Sequence, residues 1–306
     1  MVARHARPDA PPLEPGTATA DFHADTRRSD GVLEPAELVR QAFAVGVRTF
    51  AIADHDNLAY RELTAPVAPP LPGGFTLIPA VEINAVAGRF AAQLSEGELH
   101  MLGLGVDPGD AAFEAALAAQ RDARRIRFYA MVDRLRDLDL AIDEQVASLD
   151  VTADDALGRP TIARALIAAG HAVDVQDAFG RLIGHGCPAY VPRSGLDPIA
   201  AIRAIRAAGG IASLAHFGEA PTLEPLVREL MGAGLDALET HHRSFDSATR
   251  EAMSAFARSM GLVETGGSDY HGDHGPYAET HAELVVPQWL ADGVFAALSP
   301  RRAARS

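Results

Sequence analysis

The chain has 306 residues, 48% of them hydrophobic, and a formal net charge of −14 at pH 7. This length can bury one large core or two unequal ones, and the negative charge argues against a protein that coats long duplex nucleic acid. No apolar run is long enough to cross a membrane, and the single cysteine is typical of a reducing cytoplasm. All 27 basic residues are arginine, which excludes lysine chemistry such as Schiff-base formation.

Short apolar runs alternate with helical patterns along much of the chain, which predicts parallel βα units. The first helix is predicted to begin at Pro35 and to end at Gly46. Further helices are predicted at residues 223–233 and 248–260. Seven strands are expected, and a barrel can close from that number. The predicted strands are residues 17–23, 48–54, 76–83, 99–106, 210–217, 235–241 and 262–266, with 283–286 as a possible further edge.

A different region separates the two halves of this pattern. It is rich in alanine and arginine, and it predicts helices at residues 110–149, 161–169 and 175–182. We therefore expect four parts in the chain. They are a flexible leader at 1–16, a barrel at 17–106 and 198–290, a helical insertion at 107–197 that caps one face, and a C-terminal helix end with a solvated tail at 291–306.

Residue types that bind metals recur at the predicted strand ends. His23 and Asp25 are two residues apart, so on a strand they point to the same side. In barrel enzymes the strand ends bring such groups into one cleft. Several carboxylates in one cleft repel each other unless cations are bound, so the pattern predicts several divalent metal ions. The other residues of metal-binding type at the predicted strand ends are Asp54, His55, Glu82, His100, His216, Asp269 and His271.

Six motifs, in this order, resemble those of the PHP (polymerase and histidinol phosphatase) family of metal-dependent phosphoesterases: HADTRRSDG, IADHD, VEIN, HMLG, LAHFG and GSDYHG. The resemblance spans about residues 20–285 and implies an α/β fold, a distorted seven-stranded TIM-like barrel that holds two to three divalent ions (Mn²⁺, Fe²⁺ or Zn²⁺). It implies three ligand sets, with Glu82 bridging two of them, since a carboxylate offers two oxygens. They are His23, Asp25, Glu82 and Asp269 for the first metal, Glu82, His100 and His216 for the second, and Asp30, His55 and His271 for the third.

The chain departs from this pattern at two positions. The first motif of the family usually has a histidine where this chain has Asp25, and aspartate favours Mn²⁺ or Fe²⁺ relative to Zn²⁺. The insertion resembles the subgroup that acts on nucleoside 3′,5′-bisphosphates and on the 5′-ends of short RNA. There, Arg159 matches an arginine that helps to hold substrate phosphate, and Thr161 replaces a histidine. Arg193 is a second candidate because guanidinium binds phosphate bidentately.

The resemblance implies hydrolysis of a phosphate ester by a hydroxide that bridges the first two metals. Glu82 and Asp269 would then be catalytic, and His242 is a candidate general acid, with a metal-bound water as the alternative. The expected partner is a small phosphorylated substrate or a short RNA 5′-end. Three alternatives remain: a phosphatase for another metabolite, such as histidinol phosphate or a cyclic phosphodiester; a catalytically weakened metal-binding PHP module; and an unrelated amidohydrolase.

Overall fold

The computed structural model describes residues 14–66, 68–94, 98–152, 155–273 and 275–303. Seven strands pair in chain order within one sheet. The first strand also meets the last, because the amide of Phe22 donates to the carbonyl of Gly266 and the amide of Asp269 donates to the carbonyl of His23. The prediction of a nearly closed, seven-stranded α/β barrel is confirmed. The strands are β1 (Ala20–Asp21), β2 (Thr49–Ile52), β3 (Thr76–Val86), β4 (Glu98–Leu104), β5 (Ile211–Leu214), β6 (Ala237–His242) and β7 (Val263–Gly267).

Strand β4 breaks the parallel order that the sequence predicts. It pairs antiparallel with both β3 and β5, whereas the other neighbouring pairs are parallel. The described residues of the link from β3 to β4 form a short 3₁₀ helix, Gly88–Gln93, and no crossover helix. A parallel return needs a connection of a dozen or more residues, so this short link reverses the chain. The expectation of parallel βα units throughout is therefore wrong for β4.

Helices surround the barrel and form the segment inserted between β4 and β5. Four of them begin at aspartates whose side chains accept a backbone N–H: Asp110, Asp174, Asp197 and Asp246. The helices are α1 (Pro35–Ala44), α2 (Tyr60–Leu63), α3 (Ala111–Asp137), α4 (Asp143–Ala147), α5 (Arg159–Ala168), α6 (Val175–Ala178), α7 (Pro198–Ala207), α8 (Glu224–Ala233), α9 (Ser247–Met260), α10 (Tyr277–Glu283) and α11 (Gln288–Ala303), with a π-helical turn at Phe179–Ile183.

The inserted segment has its own apolar core. Phe128 and Met131 of α3 pack in one cluster with Ile162 and Leu166 of α5, and with Ile183 of the π-helical turn. The N-terminal part of α3 packs elsewhere, since its Phe113 and Leu117 belong to a cluster with residues of the barrel. Helix α3 thus runs from the barrel into the insertion. The proposed division at residues 107 and 197 stays a prediction.

Several predicted elements differ in the structure. The helix predicted over 110–149 is two helices, because the chain leaves α3 at Leu138 and turns at Asp139, whose φ is +59°. The edge strand predicted at 283–286 is not a strand; Leu284 and Val286 pack into the barrel core. The predicted solvated tail is helical to residue 303, and Arg301 binds the carbonyl of Gly210.

The predicted leader falls mostly outside the described residues, which begin at residue 14. The N–H of Gly16 donates to the carbonyl of Leu284 at 3.1 Å.

Candidate metal centre

The predicted metal-binding side chains meet at one end of the barrel. His23, His55 and His216 follow the ends of β1, β2 and β5, while His100 lies near the start of β4. Because β4 runs antiparallel to its neighbours, its first residues lie at the same barrel end as the last residues of the other strands. The sequence places His100 at the start of its predicted strand, and the reversal of β4 explains why His100 still reaches the same barrel end as the other candidate ligands.

Glu82 lies at the centre of the cluster, with only 1% of its surface exposed. Its carboxylate oxygens lie 2.6 Å from Nδ1 of His55, 2.9 Å from Nδ1 of His100, 3.1 Å from Nε2 of His216 and 3.5 Å from Nε2 of His23. Burial alone would raise the pKa of Glu82, but the surrounding imidazoles hold it well below its usual range. Four histidines around one carboxylate fit the bridging role that the sequence assigns to it.

Two compact groups of possible ligand atoms lie in the cluster, and their residues were assigned from the resemblance to the second and the first metal. Donor atoms of Glu82, His100 and His216 all lie within 4.8 Å of one another, and so do those of His23, Asp25 and Asp269. Within the second group, Nε2 of His23 lies 3.6 Å from Oδ1 of Asp269. Each group offers nitrogen and oxygen ligands at one point, as a divalent transition metal requires.

The third set differs from the expected one. His55 lies within ligand distance of both Asp25 and Glu82, and its other nitrogen, Nε2, is 3.5 Å from Oδ2 of Asp30. Among the described residues, Asp30, His55 and His271 do not form such a compact group. His271 instead has Nδ1 at 2.8 Å from the carbonyl of Asp269. Asp25 therefore belongs to two groups at once.

The residues present fit divalent cations. Nε2 of His23 and Nδ1 of His55 are buried, and within the described part of the chain neither makes a hydrogen bond of acceptable geometry. Such atoms are costly unless a ligand satisfies them. Burial and the neighbouring Asp30 hold the pKa of Asp25 well above its usual range, which is the repulsion that a bound cation would relieve.

Glu239 positions two of the histidines and was missed in the sequence. Its buried carboxylate lies 3.1 Å from Nδ1 of His23 and accepts the backbone N–H of His216 at 2.7 Å. A hydrogen bond at Nδ1 fixes the ring so that Nε2 faces the cluster, a common arrangement around metal ligands. The only signal in the sequence is an acidic residue inside the apolar strand β6, next to His241 and His242.

Asp54 shapes the loop that carries Asp25 and Asp30. It accepts hydrogen bonds from the N–H of Thr26, the hydroxyl of Thr26 and the hydroxyl of Ser29, at 2.7, 2.7 and 2.6 Å. Burial raises the pKa of Asp54 to about 6 although these bonds oppose the shift. Asp54 is therefore a support for the ligand loop; it belongs to none of the three ligand groups.

The backbone at the site is held in unusual conformations. His216 and Asp269 have φ values of +30° and +45°, a region that costs free energy for residues with a Cβ atom. The strand pair that closes the barrel is also tight, since a Cβ on Gly267 would lie 2.3 Å from Cβ of His23. Only glycine lets β7 approach the ligand-bearing end of β1 this closely.

An arginine-rich cavity adjoins the metal cluster. Asp30, His55 and His100 line it on the cluster side, while the insertion lines the other side. The four arginines of this wall, which we call the arginine cluster, are Arg124, Arg127, Arg159 and Arg193.

Both predicted phosphate-binding arginines belong to this cluster. Arg193 donates to Oδ2 of Asp56 at 3.0 Å, and Arg159 donates to Oε1 of Glu98 at 2.9 Å. Thr161 does not line this cavity but a neighbouring one, together with Arg164.

Arg124 and Arg127 were not predicted as site residues. Arg124 pairs with Asp56 at 2.6 Å, and Nε of Arg127 donates to the carbonyl of Val191 at 2.7 Å. Both lie on α3, where arginines in a helical pattern indicate a solvated face unless the fold buries them. Here each is less than 10% exposed.

Comparison with known proteins identifies the family. No family model matches the chain. The chain is 31% identical over 283 residues to the 5′-3′ exoribonuclease of Haemophilus influenzae, covering 89% of this chain and 98% of that protein. The chain belongs to the PHP family of metal-dependent phosphoesterases. The identification as an enzyme of this family is therefore confirmed.

Other PHP relatives differ in the activity that their names state. A 3′,5′-nucleoside bisphosphate phosphatase from Chromobacterium violaceum is 28% identical over 83% of this chain and 87% of its own length. A phosphoribosyl 1,2-cyclic phosphate 1,2-diphosphodiesterase from Eggerthella lenta is 27% identical over 83% of this chain and 95% of its own length. All these activities are hydrolyses of phosphate esters, which agrees with the predicted reaction class.

Two solved structures share the PHP fold of this chain. A protein from Bifidobacterium adolescentis, described as a metal-dependent phosphoesterase, has a TM-score of 0.76 and 30% identity, covering 93% of this chain and 98% of that one. A protein from Chromobacterium violaceum, described as an amidohydrolase with bound sulfate, has a TM-score of 0.74 and 25% identity, covering 93% and 97%. In the described part of this chain, no helix is both long and apolar enough to span a membrane.

His242, the predicted general acid, lies inside the cluster. Its Nε2 atom is buried 3.4 Å from Oδ2 of Asp269. Its Nδ1 atom faces the N–H of Ser244 at 3.2 Å, so Nδ1 accepts and a neutral ring carries its proton on Nε2. The hydrogen-bond network thus assigns a proton to the nitrogen that faces the metal ligands.

Proposed function

We propose that this PHP enzyme hydrolyses a phosphate ester of a nucleotide that carries a second phosphate, either a nucleoside 3′,5′-bisphosphate or the 5′-end of a short RNA. The observation that carries the proposal is the arginine cluster beside the metal ligands. Among the described residues, the ion pairs of these four buried or half-buried guanidinium groups involve two carboxylates, Asp56 and Glu98. This surplus of positive charge suits a second, non-reacting phosphate. The names of the relatives from Haemophilus and Chromobacterium support the same substrate class.

We keep the three ligand sets that the resemblance implies, with Glu82 shared between the first two sets, and Asp25 also lies near His55. His23, Asp25 and Asp269 would hold one ion, and Glu82, His100 and His216 a second. His55 and Asp30 would hold a third ion if one binds, and His271 remains a proposed ligand there. Two or three ions of Mn²⁺, Fe²⁺ or Zn²⁺, when bound, supply Lewis-acid activation of water and neutralise phosphate charge.

The protein groups would then orient the substrate and deliver a proton. Arg159 and Arg193 would bind phosphate oxygens and keep the substrate aligned with the metal ligands. His242, when both ring nitrogens carry a proton, would donate the Nε2 proton to the leaving oxygen and become a neutral ring, whose remaining proton on Nδ1 faces the hydroxyl of Ser244 at 2.7 Å. Thr161 would contact only a part of the substrate that reaches the neighbouring cavity. A cytoplasmic location stays a prediction.

The test is a phosphate-release screen with Mn²⁺-loaded protein. The panel contains adenosine 3′,5′-bisphosphate, adenosine monophosphates, histidinol phosphate and short 5′-phosphorylated RNA. We expect the bisphosphate or the RNA to be the best substrate, and Glu82→Ala to abolish turnover and reduce bound metal. Faster hydrolysis of histidinol phosphate, or near-normal activity of Glu82→Ala, would contradict the proposal. No turnover with any phosphoester and any of the three metals would favour the weakened metal-binding module.

A cyclic phosphodiester is the second candidate. The relative from Eggerthella, whose name states a cyclic phosphate substrate, matches most of the chain. Ribose 1,2-cyclic phosphates belong in the same screen. When the single cyclic phosphate lies at the metal ligands, the arginine cluster is available to bind another anionic group of the substrate. Faster turnover of the cyclic substrate than of the bisphosphate would favour this candidate.

A further inference from the structure

Glu98 lies between the metal ligands and the arginine cluster. It is the first residue of β4, two positions before His100, so the two side chains point to the same face of the strand. Oε1 of Glu98 accepts a hydrogen bond from Nη2 of Arg159 at 2.9 Å, and Oε2 lies 3.8 Å from Nη1 of Arg193. Glu98 lines the arginine-rich cavity and also the next cavity along β4.

The Oε2 atom of Glu98 has no hydrogen-bond donor among the described residues. The side chain is only 6% exposed, and among the described residues no group donates to Oε2. The same cavity wall holds two donors without acceptors, Nη2 of Arg127 and Nε of Arg193. Buried polar atoms are nearly always paired, so each of the three atoms points to a ligand. That ligand must offer both acceptors for the arginines and a donor for the carboxylate.

A phosphorylated ribonucleotide meets both requirements. Its phosphate oxygens are acceptors for guanidinium groups, and its sugar hydroxyls are donors. In a nucleoside 3′,5′-bisphosphate the sugar lies between the two phosphates, just as Glu98 lies between the metal ligands and the arginine cluster. The 2′-hydroxyl is on the carbon next to the 3′-phosphate and is lost in a deoxynucleotide.

We propose that Glu98 accepts a hydrogen bond from the ribose 2′-hydroxyl and thereby selects ribonucleotides over 2′-deoxyribonucleotides. This inference rests on the proposed function and adds the sugar to the substrate class. A rival role for Glu98 is to hold Arg159 and Arg193 in place without touching the sugar. The two roles differ in their effect on a deoxy substrate, since a structural role affects ribo and deoxy substrates alike.

The experiment compares kcat/KM for adenosine 3′,5′-bisphosphate and its 2′-deoxy analogue. A hydrogen bond to a charged group predicts a preference of about 10- to 100-fold for the ribo form. In Glu98→Gln the preference should fall to within about threefold, because the bond to a full charge is lost. Glu219→Gln is the matched control. Glu219 is exposed on the adjoining cavity, and its variant should keep the wild-type preference.

Two further measurements separate the possible failures. Circular dichroism shows whether each variant is folded. Calorimetric titration with adenosine 5′-monophosphate and its 2′-deoxy form measures the difference in affinity between the two sugars independently of the rate of hydrolysis. Equal use and equal binding of both sugars by the wild type would overturn the inference while leaving the proposed function intact. An unchanged preference in folded Glu98→Gln would also overturn it. If neither the bisphosphates nor the 5′-phosphorylated RNA is hydrolysed, the proposed function fails, and the binding measurement alone decides for or against Glu98.

Discussion

The replacement of Glu239 by glutamine tests how the metal ligands are held in position. The Glu239 carboxylate supports Nδ1 of His23 and the backbone N–H of His216 together. A glutamine amide keeps one oxygen and adds an NH₂ group, so it can accept only one of these two bonds. If its oxygen accepts from His216, its NH₂ group makes Nδ1 of His23 an acceptor. The ring proton then moves to Nε2, the atom that faces Glu82 and Asp269, and blocks metal binding there.

The other orientation of the amide is no better. Its NH₂ group would face the N–H of His216, where φ is +30° and the backbone depends on that bond. Loss of a hydrogen bond to a charged group costs about 1.5–3 kcal/mol, and groups that orient metal ligands contribute about 10- to 100-fold to metal affinity. We therefore expect Glu239→Gln to weaken the metal bound by His23 about 10- to 100-fold.

The assay is a titration of metal-free protein with Mn²⁺, followed by calorimetry and by elemental analysis after dialysis. Glu264→Gln is a matched control, because Glu264 is also buried in the barrel and accepts from Thr240 at 3.2 Å but contacts no candidate ligand. Circular dichroism checks that both variants are folded. A folded Glu239→Gln protein that binds every metal within about twofold of the wild type would refute the reasoning.

Three other perturbations test the cluster, the cavity and the barrel closure. Removal of metal with EDTA should lower Tm by about 5–10 °C and Mn²⁺ should restore it, since a ligand bound only to the native state stabilises it; an unchanged Tm would speak against a bound metal. Arg193→Ala should lower kcat/KM on adenosine 3′,5′-bisphosphate about tenfold or more relative to p-nitrophenyl phosphate. Arg203→Ala, an exposed control, should leave this ratio unchanged. Equal losses on both substrates in Arg193→Ala would place Arg193 outside the substrate site. Gly267→Ala should destabilise the protein by about 1–3 kcal/mol in chemical denaturation, because its Cβ would meet the backbone of His23. Gly232→Ala should not destabilise the protein, because a Cβ there has nothing within 4 Å. Equal stability of the two variants would contradict the tight closure of the barrel.

The sequence predicted the barrel, and it marked candidate ligands that the structure brings together at one barrel end, because these signals are local. Each ligand lies beside an apolar run, and strand ends of a barrel share one rim. The direction of β4 was not predictable in the same way. Side chains alternate with a period of two residues in parallel and antiparallel strands alike. The pattern that marks residues 99–106 as a strand therefore does not tell in which direction the strand runs, and so at which end of the barrel His100 lies.

The supporting residues were harder to predict, because their role depends on contacts between distant segments. Glu239 meets His23 across 216 positions of the sequence. Arg124 and Arg127 lie in a helical pattern that also fits a solvent-exposed face, and only the folded insertion turns them toward the cavity. The sequence around a charged residue does not show which distant residue will pair with its side chain in the folded protein.

Asp25 shows how a single replacement changes the meaning of a predicted site. The resemblance places it with the first metal only, as a substitute for histidine. In the structure it lies within ligand distance of His23 and Asp269 on one side, and of His55 and Glu82 on the other. A histidine in that place offers one nitrogen toward the cluster, whereas a carboxylate offers two oxygens. We therefore propose that Asp25 would serve two ligand groups when metal is bound, as a second bridging carboxylate beside Glu82.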